Sequence, residues 1–164
     1  MTAKKVSESY VIMSQMMLPE DANPAGIVHG GVVMKHMDNA GGVVAIRHAR
    51  KICVTASIDR LDFYHPANIG DLLILKASVN FARTTSMEIG VRIEAENLIS
   101  GIIKHTASAY LTYVALDDNF KPTKIPQLIF DTMVEKRRNK EAELRYAARL
   151  KERTREKAAR INKS

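Results

Sequence analysis

Tryptophan is absent from these 164 residues, and cysteine occurs once, at Cys53. A single thiol rules out an intrachain disulfide, and in an apolar β-branched stretch it reads as a small hydrophobe. Aromatics are scarce, five Tyr and four Phe, which leaves little for stacking on bases. No apolar run approaches the roughly 18 residues of a membrane span. The start "MTAKKVSESY" has neither an apolar h-region nor a cleavage site, so no secretory signal is expected. These absences point to a cytoplasmic protein without a membrane span.

The charge that is present is unevenly placed. The chain carries a net +7, yet residues 131–164 hold 12 Lys/Arg against 6 Asp/Glu, and the rest of the chain is close to neutral. The basic character therefore belongs to the tail. Six interspersed acids and the missing stacking aromatics argue against specific nucleic-acid binding, and leave only salt-sensitive, nonspecific attraction. The tail is rich in Ala, Glu, Lys and Arg, with Glu141 and Arg145 four residues apart. It predicts a solvated helix with a thin apolar stripe (Leu144, Ala147 or Ala148, Lys151), lying partly on the body and fraying at its end.

Residues 8–18 are apolar and β-branched and end at Pro19, which suggests a strand. From Gly30 to Ala49 the apolar positions Val32, Val33, Met37, Ala40, Val44 and Ala45 recur every three or four residues, the spacing of a buried helix. Gly41 and Gly42 weaken that helix by about 1 kcal/mol each relative to Ala, so a sheet is expected to pack very close to it there. Four more strands follow, at 52–63, 72–83, 86–97 and 103–116. Met87, Ile89, Val91, Ile93 and Ala95 alternate on one face of the third, and Ala107, Ala109, Leu111, Tyr113 and Ala115 on one face of the last. The order β-α-β-β-β-β is a run of hairpins after one helix. The expected class is α+β: one domain over residues 8–130 whose antiparallel sheet wraps the central helix, then a basic helical tail over 131–164.

The stretch "DANPAGIVHGGVVMKHMDNAGG" stands out chemically. A helix that starts on Gly30 and Gly31 leaves backbone N–H groups open to a ligand, and such a terminus favours an oxygen gaining negative charge. Asp38 lies about two turns further in, with apolar or Gly neighbours at 34, 37, 41, 42 and 45. A carboxylate there is costly unless hydrogen-bonded or used. Asn23 precedes Pro24, which biases its backbone to an extended form and so aims its amide. An oxyanion donor, a base or nucleophile and a positioning amide suit acyl transfer to water. However, Gly30 and Asp38 are separated by about 12 Å of helix, too far to act on one carbonyl. If both act, each site takes the helix start of one copy and the Asp of another, which a twofold dimer supplies.

The plainer readings are that Asp38 sits on the helix surface, that the glycines make a tight turn, and that Asn23 shapes that turn. His29 either assists at the site or caps the helix. His36, His48, His65 and His105 lack metal-ligand spacing and read as structural or surface residues; no metal and no cofactor is expected. Asp59 and Asp62 read as solvent-facing or paired with Arg60 or His65.

These blocks, with "VTASIDRLDFYHPANIGD" and "TTSMEIGVRIEAEN", resemble the hotdog-fold acyl-CoA thioesterases. The similar branch includes the cytosolic long-chain (brain-type) acyl-CoA hydrolases and their bacterial single-domain relatives. The resemblance covers about residues 8 to 118, with three blocks in the same order and spacing. It implies hydrolysis of acyl-CoA, with coenzyme A entering as part of the substrate. It implies that Asn23 and Asp38 are catalytic, contributed by different hotdog units, and that the amide at Gly30 or Gly31 is the oxyanion donor. Arg83, Thr84 and Ser86 would then contact pantetheine or phosphates, Val54 and Thr55 would line the thioester channel, and His29 would lie at the substrate. It also implies dimers that assemble into trimers of dimers.

Two rival readings remain within this frame. The "DANP" start is similar to the Asp-x-Asn-Pro-x-His signature of hotdog enoyl-CoA hydratases, but Ala25 and Gly26 follow Pro24 and no His comes before 29. A non-catalytic acyl-CoA sensor would have no need of Asp38.

Overall fold

The computed structural model describes residues 2–161, without the side chains of 153 and 156–161. A short strand β1 (Lys4–Lys5) and a 3-10 turn lead into β2 (Val11–Met16). The central helix α1 (Gly30–Ala49) follows, then β3 (Ile52–Phe63), β4 (Leu72–Ala82), β5 (Ser86–Glu96) and β6 (Ile103–Leu116). The chain continues through β7 (Leu128–Ile129) into the long helix α2 (Met133–Ile161). The five longer strands form one sheet in the order β2-β4-β5-β6-β3, every neighbouring pair antiparallel.

The inward face of the sheet is the one the alternation marks. Met87, Ile89, Val91, Ile93 and Ala95 of β5 are buried with Ala107, Ala109, Leu111, Tyr113 and Ala115 of β6. Against them α1 lays Val33, Met37, Ala40, Gly41, Val44 and Ala45. Helix α1 ends where Arg50 takes a left-handed conformation (φ 52°), its N–H donating to the carbonyl of Ile46. The last turn is tied down by His48, which is fully buried. Its Nδ1 is 3.2 Å from Ser9 Oγ and its Nε2 is 2.9 Å from the carbonyl of Pro126. Burial lowers the basicity of this imidazole, so it is held neutral between those two partners.

The structure separates the roles of Gly41 and Gly42, the two glycines in the middle of α1. A Cβ at Gly41 would lie 2.6 Å from Tyr113 Oη, whereas one at Gly42 would stand 4.0 Å from the same ring. Close packing explains Gly41 alone. Gly41→Ala is expected to displace Tyr113 and to lower both stability and activity. Gly42→Ala should gain up to about 1 kcal/mol of helix propensity. Thermal denaturation of the two variants checks the contrast.

Two features depart from the sequence reading. First, β1 and β7 pair in parallel, a small second sheet that joins the N-terminus to the segment before α2; two-residue strands carry no periodicity to read. Second, α2 docks through polar residues, on the outer face of the sheet. Leu144 is 67% exposed, while Ala142 is fully buried. Arg145 reaches Glu88 rather than Glu141, with Nη2 2.7 Å from Oε1 and Nε 3.1 Å from Oε2. Its guanidinium also lies 3.6 Å from the centroid of the Tyr110 ring. Arg149 binds Asp59, and Asn139 Nδ2 donates to the carbonyl of Asn80 at 2.9 Å. Glu141 is within 3.6 Å of Arg137 instead. The seam is Asn139, Ala142, Arg145, Tyr146 and Arg149, which an apolar stripe search passes over. Residues 162–164, where fraying would be greatest, lie outside the described part.

Candidate active site

Asn23 sits in the turn that follows a 3-10 segment (Pro19–Asp21). Its Oδ1 accepts from the backbone N–H of Ala25 at 2.9 Å and of Ile27 at 3.3 Å. Two backbone donors on one atom fix the orientation of the amide. Nδ2 donates to nothing among the described residues, so it is a free donor on a held side chain. Gly26, at φ 78°, closes the turn, its N–H donating to the carbonyl of Asn23 at 2.9 Å.

His29 is the N-cap of α1, and its Nδ1 accepts the N–H of Gly31 at 2.9 Å. The choice between the two glycines follows from this. The amide of Gly31 is engaged, while the amide of Gly30 donates to nothing among the described residues. Gly30 and Asn23 line one cleft of about 360 Å³, together with Val33, Phe63, His65 and Thr106. His65 therefore also borders the cleft, its Nδ1 3.0 Å from the carbonyl of His105.

Asp38 is not in that cleft. It is half-buried rather than enclosed, because Met34, Val43 and Ile46 leave one flank of α1 open. Thr55 Oγ1 donates to its Oδ1 at 2.6 Å, and Tyr113 Oη approaches the same oxygen at 2.9 Å and the Asp38 carbonyl at 2.7 Å. Burial raises the pKa of the Tyr113 phenol, which keeps it a donor. Thr55 holds Oδ1, the single Tyr113 proton is shared between Oδ1 and the Asp38 carbonyl, and Oδ2 has no hydrogen-bond partner among the described residues.

The sheet register fixes how far apart these groups stand. Tyr113 pairs with Thr55 on one side and Met87 on the other, whereas Phe63, beside the Asn23 cleft, pairs with Ala107. Roughly six residues of β6 separate the two rows, which is about 20 Å. Within one chain the free donors at Asn23 and Gly30 and the carboxylate of Asp38 therefore stand at separate rows of the sheet.

Val54 and Thr55 are not brought together. Val54 pairs with Val114 on the outer face, while Thr55 turns inward to Asp38. Ser86 pairs with Val114 too, so the β4–β5 turn lies at the Asp38 end. In that turn Arg83 and Thr84 are exposed, and the Arg83 guanidinium rests 4.3 Å from the centroid of the Tyr146 ring of α2. Cys53 is half-buried in β3, and desolvation pushes its thiol up to about 11, so it stays protonated near neutral pH. Among the described residues no group of three or more His, Cys, Asp or Glu could hold a metal ion.

A family model described as the thioesterase superfamily matches residues 25–101. The uncharacterized acyl-CoA thioester hydrolase YkhA of Bacillus subtilis is 36% identical over 76% of this chain and 73% of its own. The chain belongs to the thioesterase superfamily. The cytosolic acyl coenzyme A thioester hydrolase of Rattus norvegicus is 38% identical over 86% of this thioesterase-superfamily chain, which spans only 38% of that relative's length.

Among solved structures, an apo hexameric acyl-CoA thioesterase superposes with a TM-score of 0.90 at 37% identity, covering 93% of this chain and 97% of its own. The acyl-CoA hydrolase of Staphylococcus aureus, solved with butyryl coenzyme A, coenzyme A and coenzyme A disulfide, superposes at 0.88 with 34% identity, over 96% of each chain. Variants of that hydrolase with an Asp, an Asn or a Thr changed to Ala have also been solved.

Tyr113 is the residue that sequence reasoning passed over, having placed it only as an inward-facing strand residue. The signal was present: a phenol among Ala107, Ala109, Leu111 and Ala115 must find a hydrogen-bond partner once buried.

Proposed function

We propose that this chain hydrolyses acyl-CoA thioesters to a carboxylate and coenzyme A, at sites each assembled from two copies. The observation that carries the reading is the separation of the Asn23 and Gly30 donors from the Asp38 carboxylate, since neither row holds both a base and a free pair of donors. Edge strand β3 offers the means of joining them. Its outer side is unpaired in the sheet, and Ile52, Val54, Ile58 and Phe63 along it are exposed. An antiparallel β3–β3 contact carries the Phe63 end of one copy past the Thr55 end of the other. Asp38 then faces Asn23 and Gly30 of the partner subunit.

In this reading Asn23 Nδ2 and the Gly30 N–H of the partner subunit take the two lone pairs of the thioester carbonyl. Asp38 Oδ2 removes a proton from water as its oxygen bonds to the carbonyl carbon. The tetrahedral intermediate collapses by breaking the C–S bond, and the leaving thiolate takes the proton back from Asp38. Thr55 and Tyr113 hold the carboxylate still throughout. The S. aureus variants support this assignment, because their Asn, Asp and Thr stand at the same spacings in that chain as Asn23, Asp38 and Thr55 do here. Arg83, Thr84 and Ser86 are proposed to meet the coenzyme A end, since their turn adjoins the Asp38 row. His29 is proposed to act through the helix start it caps.

Assembly is proposed as this dimer, with trimers of dimers suggested by the hexameric structural relative. The cytoplasm is the proposed location, in keeping with the name of the rat relative; no helix among the described residues is long and apolar enough to cross a membrane. A thiol-release assay over acyl-CoA of increasing chain length tests the reaction. Saturable release of coenzyme A is expected. Calorimetric binding of acyl-CoA with no release would instead make the chain a sensor.

A further inference from the structure

Among the described residues, a single buried side-chain nitrogen or oxygen lacks a hydrogen-bond partner: Thr106 Oγ1. Thr106 is 1% exposed and lines the cleft of Asn23 and Gly30. Its placement comes from a β-bulge. On β5, Ile93 pairs with Ala107 and the next residue, Glu94, with His105, so Thr106 is the extra residue of β6. Both Thr106 and Ala107 are consequently buried, which breaks the usual alternation. The bulge is anchored from the other side, where the Thr106 carbonyl accepts the N–H of Tyr64 at 2.8 Å and of His65 at 3.4 Å. Bulges of this kind re-aim side chains beside functional sites. A hydroxyl buried without a partner destabilises the fold, and Val would fill the same space without that cost.

We propose that the Thr106 hydroxyl is a substrate-binding group, donating to the carbonyl oxygen of the acyl thioester alongside Asn23 Nδ2 and the Gly30 amide. The proposal rests on the hydrolase reading above and extends it. A ground-state carbonyl oxygen has two lone pairs to share among three donors, so each is held weakly. The oxyanion has three, so a third donor is worth most in the transition state.

Thr106→Val and Thr106→Ser, assayed by thiol release, test this. The expected result is a fall of about 10²-fold in kcat/KM for Val, the usual effect of losing an oxyanion donor. Ser should retain activity within about fivefold, and the thermal midpoint of the Val variant should equal or exceed that of the wild type. A Val variant within about threefold of wild type overturns the proposal. So does a loss that Ser shares and that comes with a lower midpoint. A binding arm separates this from failure of the hydrolase reading. In an Asp38→Asn background, Thr106→Val should weaken acyl-CoA about fivefold and leave coenzyme A, which has no acyl carbonyl, unchanged. If the wild type releases no thiol, the reaction is wrong and this arm alone judges the contact; equal acyl-CoA affinity then removes it.

Discussion

Asp38→Asn is expected to lower kcat for acyl-CoA hydrolysis by about 10³-fold, within the range for loss of a general base. The change is nearly isosteric. An Asn oxygen can still accept from Thr55 Oγ1 and Tyr113 Oη, which lie 2.6 and 2.9 Å from Oδ1. The fold and KM should therefore change little, which sets a chemical loss apart from a structural one. Single turnover in oxygen-18 water refines the point. Label is expected in the released carboxylate and not in Asp38; label in Asp38 would show that the carboxylate attacks the thioester itself. Retention of near-full activity by the Asn variant would remove Asp38 from the mechanism.

The largest stability effect is expected on the outer face of the sheet, at the seam with α2. Glu88 is 2% exposed and its charge is met by Arg145, with Asn80 Nδ2 at 3.2 Å. Arg145→Ala leaves that carboxylate buried with only the amide for company. The expected cost is about 3 kcal/mol, the lower end for breaking a buried ion pair, because Arg145 itself is partly exposed. Adding Glu88→Gln should recover much of it, since the uncompensated charge is then gone. Denaturant midpoints at one fixed protein concentration measure both effects, as association is coupled to folding. A midpoint unchanged in Arg145→Ala would mean that α2 does not hold the sheet by this contact.

The fold was legible where burial follows a period. The alternation of Met87 to Ala95 and of Ala107 to Ala115 names the inward face, and the spacing from Val33 to Ala45 names the buried side of α1. The docking of α2 was not legible by that means, because its contacts are made by Arg145, Arg149 and Asn139. Hydropathy treats such residues as solvent-facing, and only their partners Glu88, Asp59 and Asn80, distant in sequence, show otherwise.

The site divides in the same way. Asn23, Gly30 and Asp38 announce themselves through local chemistry: a pre-proline amide, a side-chain-free helix start, a carboxylate beside apolar positions. The helix rise even separates the last two. The choice of Gly30 over Gly31 needed the His29 cap, whose Nδ1 consumes one amide. Tyr113 and Thr106 depend on strand register. One is aimed at Asp38 by a pairing some 75 residues distant in the chain, and the other is turned inward by a bulge that alternation cannot place.

The central claim is that each site draws Asn23 from one copy and Asp38 from another, and mixing two inactive variants tests it most directly. Asn23→Ala and Asp38→Asn proteins, each assayed alone, should be nearly inactive. Unfolded together in equal amounts and refolded, they redistribute at random, so about a quarter of the sites receive both wild-type groups whatever the size of the symmetric assembly. Recovery of about 25% of wild-type thiol release is the predicted result. A mixture that stays at the level of its parents, after mass spectrometry confirms mixed assemblies, would contradict a shared site.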